Sequence, residues 1–329
     1  MSRIFIGLLI LILVIVAAFQ LSVRPGVFVI SQMFKQPVII LNPEEYATAS
    51  QKVNHEKNIT YTSAFSNNTM DIYFPAGDIQ ARGILFWVHG GGFVAGDKEA
   101  IEEFATYIVA ANQIAVVAIN YEKAPKLTYP GQVHQLQDAY LYLEENHANY
   151  LSVDFSKILF GGDSAGGQIA GQYVALQTND HYSKELEIPL SIPAENIIGF
   201  ISYSAPVQIL QMKDAHSDSF FMKFFVNTVA RAFIGTRNWK NSEKLLQASV
   251  ADHLTSRFPP TFITDGNAFS FQEQGIAFVE KLQSLDVKVE SLFYVDDPKE
   301  IPHEYQFNYQ TEEARDCLQK TIDFIDHLF

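Results

Sequence analysis

Residues 158–170, ILFGGDSAGGQIA, set a serine between an apolar run and a small-residue run that suits a helix. Gly162, Ser164 and Gly166 make a G-x-S-x-G pattern. Glycines two before and two after a serine let the chain turn sharply from strand to helix where Cβ atoms would clash, and the serine hydroxyl then stands above the sheet. The helix beginning at Ala165 would add a backbone N–H and the positive end of its dipole. Chance alone would place the pattern about 0.06 times in a chain of this composition. The surrounding elements therefore have to support it.

They do. Short β-branched or aromatic runs at 58–63, 69–74, 83–89, 114–121, 157–162, 197–204, 261–264 and 288–295 alternate with helical stretches at 98–112, 132–147, 165–177, 272–285 and 311–325. This rhythm predicts an α/β fold: a mostly parallel eight-stranded sheet covered by helices on both faces, in one domain. Residues 205–258, with the aromatic cluster 220-FFMKFF-225, break it. With residues 26–50 they are expected to form a small lid insertion over the carboxyl ends of the strands; ordinary surface helices packed on the core are the alternative.

A second glycine motif follows another apolar run. In 83-GILFWVHGGGFVAGD-97, His89-Gly90-Gly91-Gly92 makes a loop whose N–H groups can point into the space above Ser164, as an oxyanion requires. A phosphate-cradling loop would need a following Gly-Lys-Ser/Thr, which is missing. His303 follows the last strand and precedes the terminal helix, where a base in the chain order Ser…acid…His falls.

The motifs 89-HGGGF-93, 120-NYEKAP-125, 162-GDSAGG-167 and, more weakly, 301-IPHEYQF-307 resemble the hormone-sensitive-lipase-like branch of the α/β-hydrolases, from about residue 60 to the C-terminus. The resemblance implies an α/β-hydrolase fold, Ser164 as nucleophile, His303 as base, and an oxyanion hole from the N–H groups of Gly90, Gly91 and Ala165. It implies hydrolysis of carboxylic esters through an acyl-enzyme, and no metal or organic cofactor is required; an apolar pocket roofed by 220-FFMKFF-225 and residues 24–50 would suit short or medium acyl chains. Gly161, Ala100-Ile101 and Lys126 depart from the family pattern and blur the subfamily.

The acid is the difficulty. Aligned on Gly266, the family's aspartate slot in 261-TFITDGNAFSFQEQG-275 is held by Phe269, which cannot accept a hydrogen bond from histidine. Asp265, at the end of the same strand, is the favoured substitute, although an Asp-Gly turn explains it equally well. Glu273, Asp296 and Asp297 are rivals, and Asn267 could orient a ring without balancing its charge. A catalytically weak or inactive binding protein, or an amidase or peptidase on the same fold, remain alternative readings.

Residues 1–25 stand apart. Ile4 to Phe19 carries no charge, enough with its flanks to span a bilayer. The expectation is an uncleaved membrane anchor ahead of a 26–329 hydrolase domain outside the cytoplasm; cleavage as a signal peptide, and secretion, is the alternative. Net charge of −14 argues against a nucleic-acid backbone or an anionic lipid surface as partner. Cys317, the single cysteine, excludes an internal disulfide and reads as a buried, inert thiol.

Overall fold

The computed structural model describes residues 2–35, 37–150, 152–214 and 219–329; positions 36 and 215–218, inside the two expected lid segments, lie outside the described residues. Eight strands are present: β1 Val53–Thr60, β2 Thr69–Pro75, β3 Ile84–Val88, β4 Ala115–Ile119, β5 Ile158–Asp163, β6 Ile197–Tyr203, β7 Thr261–Asp265 and β8 Val289–Phe293. They form one sheet in the order β1-β2-β4-β3-β5-β6-β7-β8. β4, β3, β5, β6, β7 and β8 run parallel, and β2 pairs antiparallel with both β1 and β4.

The central strands are apolar throughout because both faces are covered. In β3, Ile84, Phe86 and Val88 join one core layer and Leu85 and Trp87 the other, as the two-residue side-chain period demands. The helices are α1 Ser2–Leu21, α2 Arg24–Met33, α3 Pro43–Ser50, α4 Glu102–Asn112, α5 Gly131–Asn146, α6 Ser164–Gln177, α7 Asp180–Leu186, α8 Phe220–Ile234, α9 Lys244–Gln247, α10 Gln272–Gln283 and α11 Glu312–His327. α5 and α6 contribute to the first layer, α4 and α11 to the second. Cys317 is buried in α11, and burial pushes its thiol up to about 12, so it is inert.

The two expected lid segments behave differently along their lengths. α2 packs on α8: a Cβ on Gly26 would lie 2.9 Å from Thr228 Cγ2, so only glycine permits the approach. α3 instead lies against α4, where Tyr46 donates to Glu102 at 2.8 Å and the Leu41 and Asn42 N–H groups donate to Glu103. The apolar helix α1 contains an 18-residue window, Ile4–Leu21, of mean hydropathy 3.1 with none of it buried.

One buried ion pair holds the antiparallel edge to the loop after β3. Lys98 Nζ lies 2.9 Å from Asp71 Oδ1, the side chains 2% and 0% exposed, and also donates to Asn58 Oδ1 at 2.9 Å. Removing one partner strands the other charge in the interior. Lys98→Met should therefore destabilise by about 3–5 kcal/mol in urea unfolding, and adding Asp71→Leu should recover most of that loss. A single mutant as stable as wild type would show that the pair contributes little.

Candidate active site

The elbow after β5 is built from close backbone contacts. Ser164 has φ of +46°, a conformation non-glycine residues avoid. A Cβ on Gly166 would stand 2.0 Å from the Val88 carbonyl oxygen, and one on Gly162 2.5 Å from the same atom, so both glycines are obligatory. The turn raises Ser164 to the start of α6, where its Oγ lies 2.9 Å from His303 Nε2.

His303 stands on a loop fastened to the turn after β7. Its N–H donates to Ala268 O at 3.0 Å, and Ala268 bridges Pro302. Asn267 accepts from Ile301 N–H at 2.8 Å and donates to the carbonyls of Tyr294, Asp297 and Lys299, so it shapes this loop and does not touch the imidazole. The Phe271 ring meets the imidazole edge-on, with centroids 5.4 Å apart.

Of the acids weighed from sequence, the fold brings Asp265 to the histidine. Asp265 Oδ1 lies 3.5 Å from His303 Nδ1, within ion-pair distance but not hydrogen-bonded, and Nδ1 has no other partner among the described residues; such contacts often tighten when substrate binds. The Asp265 carboxylate is aimed by two backbone donors, Gly266 N–H at 2.8 Å and Phe271 N–H at 2.7 Å. Glu273 lines a cavity beside α8, and Asp297 accepts from the Lys299 N–H of its own loop. Phe269 has φ of +52° and is 80% exposed, turned away from the slot it occupies in the alignment.

The glycine loop corrects one expectation. Gly90 N–H donates to Asp163 Oδ2 at 2.7 Å, so it is already used and is not free for an oxyanion. Among the described residues the N–H groups of Gly91 and Gly92 have no acceptor, and both residues have positive φ. Ala165, second in α6, has no intrahelical acceptor for its N–H. The donor set left free is thus Gly91, Gly92 and Ala165. His89 is a scaffold: Nδ1 bonds Gly90 O at 2.7 Å, the ring stacks on Tyr121, and burial pulls it down to about 4, so it stays neutral.

Asp163 was not singled out from sequence; only its place before the serine hinted at it. It is buried, its Oδ1 accepts from Trp87 Nε1 at 2.8 Å, and Glu304 shares its surroundings. A Cβ on Gly90 would meet Asp163 Oδ2 at 2.4 Å and Glu304 Oε1 at 2.6 Å, so the two carboxyls converge on this glycine. Burial, then the Glu304 charge, pushes Asp163 up to about 8, and burial raises Glu304 as well. Burial thus favours the neutral forms of both. Burial alone would lower His303, but the neighbouring Asp265 carboxylate outweighs it and holds the imidazole above its ordinary 6.5.

A cavity of about 840 Å³ reaches Phe271, whose ring meets His303; Met222, Phe225, Val226, Trp239 and Phe269 line it together with charged Lys223, Lys240 and Glu273. Among the described residues no His, Cys, Asp and Glu cluster could hold a metal ion.

The chain is similar to several esterases of known structure. It superimposes on esterase B of Lactobacillus rhamnosis with a TM-score of 0.70 at 18% identity, over 87% of this chain and 91% of that one. For the Pyrobaculum calidifontis esterase the TM-score is 0.67 at 18% identity, over 92% and 93%. A bacterial heroin esterase gives 0.65 at 18% identity, over 92% and 97%. In sequence, a protein of Acanthamoeba polyphaga mimivirus named for the alpha/beta hydrolases is 22% identical over 277 residues, 80% of this chain and 76% of its own. A family model described as the alpha/beta hydrolase fold matches residues 85–305. The chain belongs to that alpha/beta hydrolase family.

Proposed function

We propose that the protein hydrolyses carboxylic esters through an acyl-enzyme on Ser164. The observation that carries this reading is the line of Asp265, His303 and Ser164 across the carboxyl ends of β5 and β7, with contacts of 3.5 and 2.9 Å. His303 takes the Ser164 proton as Oγ attacks the ester carbonyl and returns it to the departing alkoxide. Water then repeats the sequence on the acyl-enzyme. Gly91, Gly92 and Ala165 N–H groups receive the oxyanion, while Asp265 orients the ring and stabilises the imidazolium. The esterases that share this fold favour an ester over an amide.

The cavity takes the acyl chain, covered by the Met222, Phe225 and Val226 side chains of α8, with α2 packed behind that helix. Its volume lies within the range of small-molecule pockets, which suits a short or medium acyl chain. The helix α1 is read as an uncleaved membrane anchor: it is exposed along its length, runs into α2 across two residues, and its Phe19 ring meets Phe224 of α8 at 6.3 Å.

Ser164→Ala should abolish labelling by a fluorophosphonate probe, read by in-gel fluorescence. Equal labelling of both proteins would remove Ser164 from the mechanism.

As a base, His303 must be neutral, so kcat/KM should fall as pH drops through its pKa, with a midpoint above 6.5. Asp265→Asn should move that midpoint down, because the group that raises it is gone, and lower kcat by about three to four orders of magnitude. An unmoved midpoint would show that Asp265 does not partner His303.

Across a p-nitrophenyl ester series, kcat/KM should rise by up to roughly 0.8 kcal/mol per methylene and then fall once the cavity is full. A steady rise through long-chain esters would mean an open groove.

A further inference from the structure

Among the described residues past α1, the exposed phenylalanines are Phe28, Phe34, Phe220, Phe221 and Phe269. They belong to one region. The Phe34 ring meets Phe225 of α8 at 6.1 Å, Phe221 meets the same ring at 6.2 Å, and Phe225 lines the cavity together with Phe269. Val29, Met33, Val38 and Ile39 extend the exposed apolar surface along α2 and beyond it. A soluble face would not hold this much aromatic surface in water without a partner. Phe269 carries a further cost: an 80% exposed aromatic side chain on a backbone of positive φ, on a turn that a polar residue would suit.

The chain itself indicates what covers the face. α2 begins three residues after α1 ends, and the turn between them is hydrogen-bonded, Ser22 N–H to Ala18 O and Val27 N–H to Val23 O. There is no flexible tether. Phe19, near the end of α1, packs on Phe224 of α8, so a bilayer that holds α1 lies against α2 and the start of α8. Charge agrees with this placement. The chain is −14 overall, yet Arg24 and Lys35 flank α2 with no acidic residue between positions 20 and 42, and Lys223, Arg237 and Lys240 are exposed on and after α8. Basic side chains beside exposed aromatics are the composition of a helix lying in the headgroup layer.

We infer that the face formed by α2, the start of α8 and Phe269 is seated in the bilayer interface, and that the cavity opens there. Met222, Phe225 and Val226 of the seated helix line that cavity, and so does Phe271, whose ring meets His303. The substrate is then an ester dissolved in the membrane, which enters from the lipid side without crossing water. The substrate assignment rests on the hydrolase reading; the seat does not.

The test uses the full chain reconstituted in phosphatidylcholine vesicles containing phosphatidylglycerol. Phe28→Trp, Phe220→Trp and Phe269→Trp should each be quenched by brominated acyl chains above the baseline of the buried Trp87 and Trp239, and Leu190→Trp, exposed elsewhere, should not. If the three face reporters behave like Leu190→Trp, the seat is overturned; association that rises with protein concentration, without quenching, would assign the face to a second copy of the chain. For substrate, Phe28→Glu with Phe220→Glu should cut turnover of 1-pyrenylmethyl butyrate dissolved in the vesicles roughly tenfold, while aqueous p-nitrophenyl acetate changes by less than about twofold. Equal loss on both esters overturns the membrane route. Quenching of the face reporters with no turnover of either ester by wild type would remove the hydrolase reading and leave the seat in place.

Discussion

The site depends on one buried carboxyl group. Asp163 ends β5, and β3 is its immediate parallel neighbour, with Trp87 opposite Gly161 and Val88 opposite Gly162. From there Asp163 accepts from the Trp87 indole and the Gly90 N–H, and so ties the glycine loop of one strand to the serine elbow of the next. A buried carboxyl must be satisfied or neutralised, and this one is both hydrogen-bonded and pushed toward neutrality by burial. Fixing Gly90 in this way leaves the two glycines after it with N–H groups that have no acceptor among the described residues. The close approach of Gly166 to the Val88 carbonyl sets the depth of the elbow and hence the reach of Asp163.

What the sequence made legible follows from what burial demands. β3, β4 and β5 are covered on both faces, so they must be apolar at every position, and such runs read clearly. β1 begins five residues earlier than its apolar signal, because VNHEKNIT is an edge strand with mostly exposed side chains. The two glycine motifs were legible because backbone approaches below 3 Å leave glycine no substitute. Which glycine would be spent on a neighbouring carboxyl was not, because that depends on Asp163, a residue in the variable position of its motif.

The acid illustrates the same limit. A turn whose φ becomes positive at residue 269 sends that side chain out of the protein, so an alignment slot there says little about what reaches the histidine. Asp265, still on the strand, has its direction set by the N–H groups of Gly266 and Phe271. Composition could not separate Asp265 from Glu273, since both lie within one turn of the gap; two backbone donors do. The aromatic run 220–225 was ambiguous for another reason. Phe224 and Phe225 pack inward against α1 and α2, while Phe220 and Phe221 face out, so it is core and surface at once.

Three carboxyls act on one imidazole from different distances and surroundings. Asp265, aimed by two backbone donors, raises His303 directly, and the charges of Glu304 and Asp163 push the same way. Burial raises both Asp163 and Glu304, which favours their neutral forms and so weakens their pull on the imidazolium. The same burial suits Asp163 to its place between β3 and β5, where its carboxyl accepts from the Trp87 indole and the Gly90 N–H, and it leaves the contact with the His303 Nδ1 edge to Asp265.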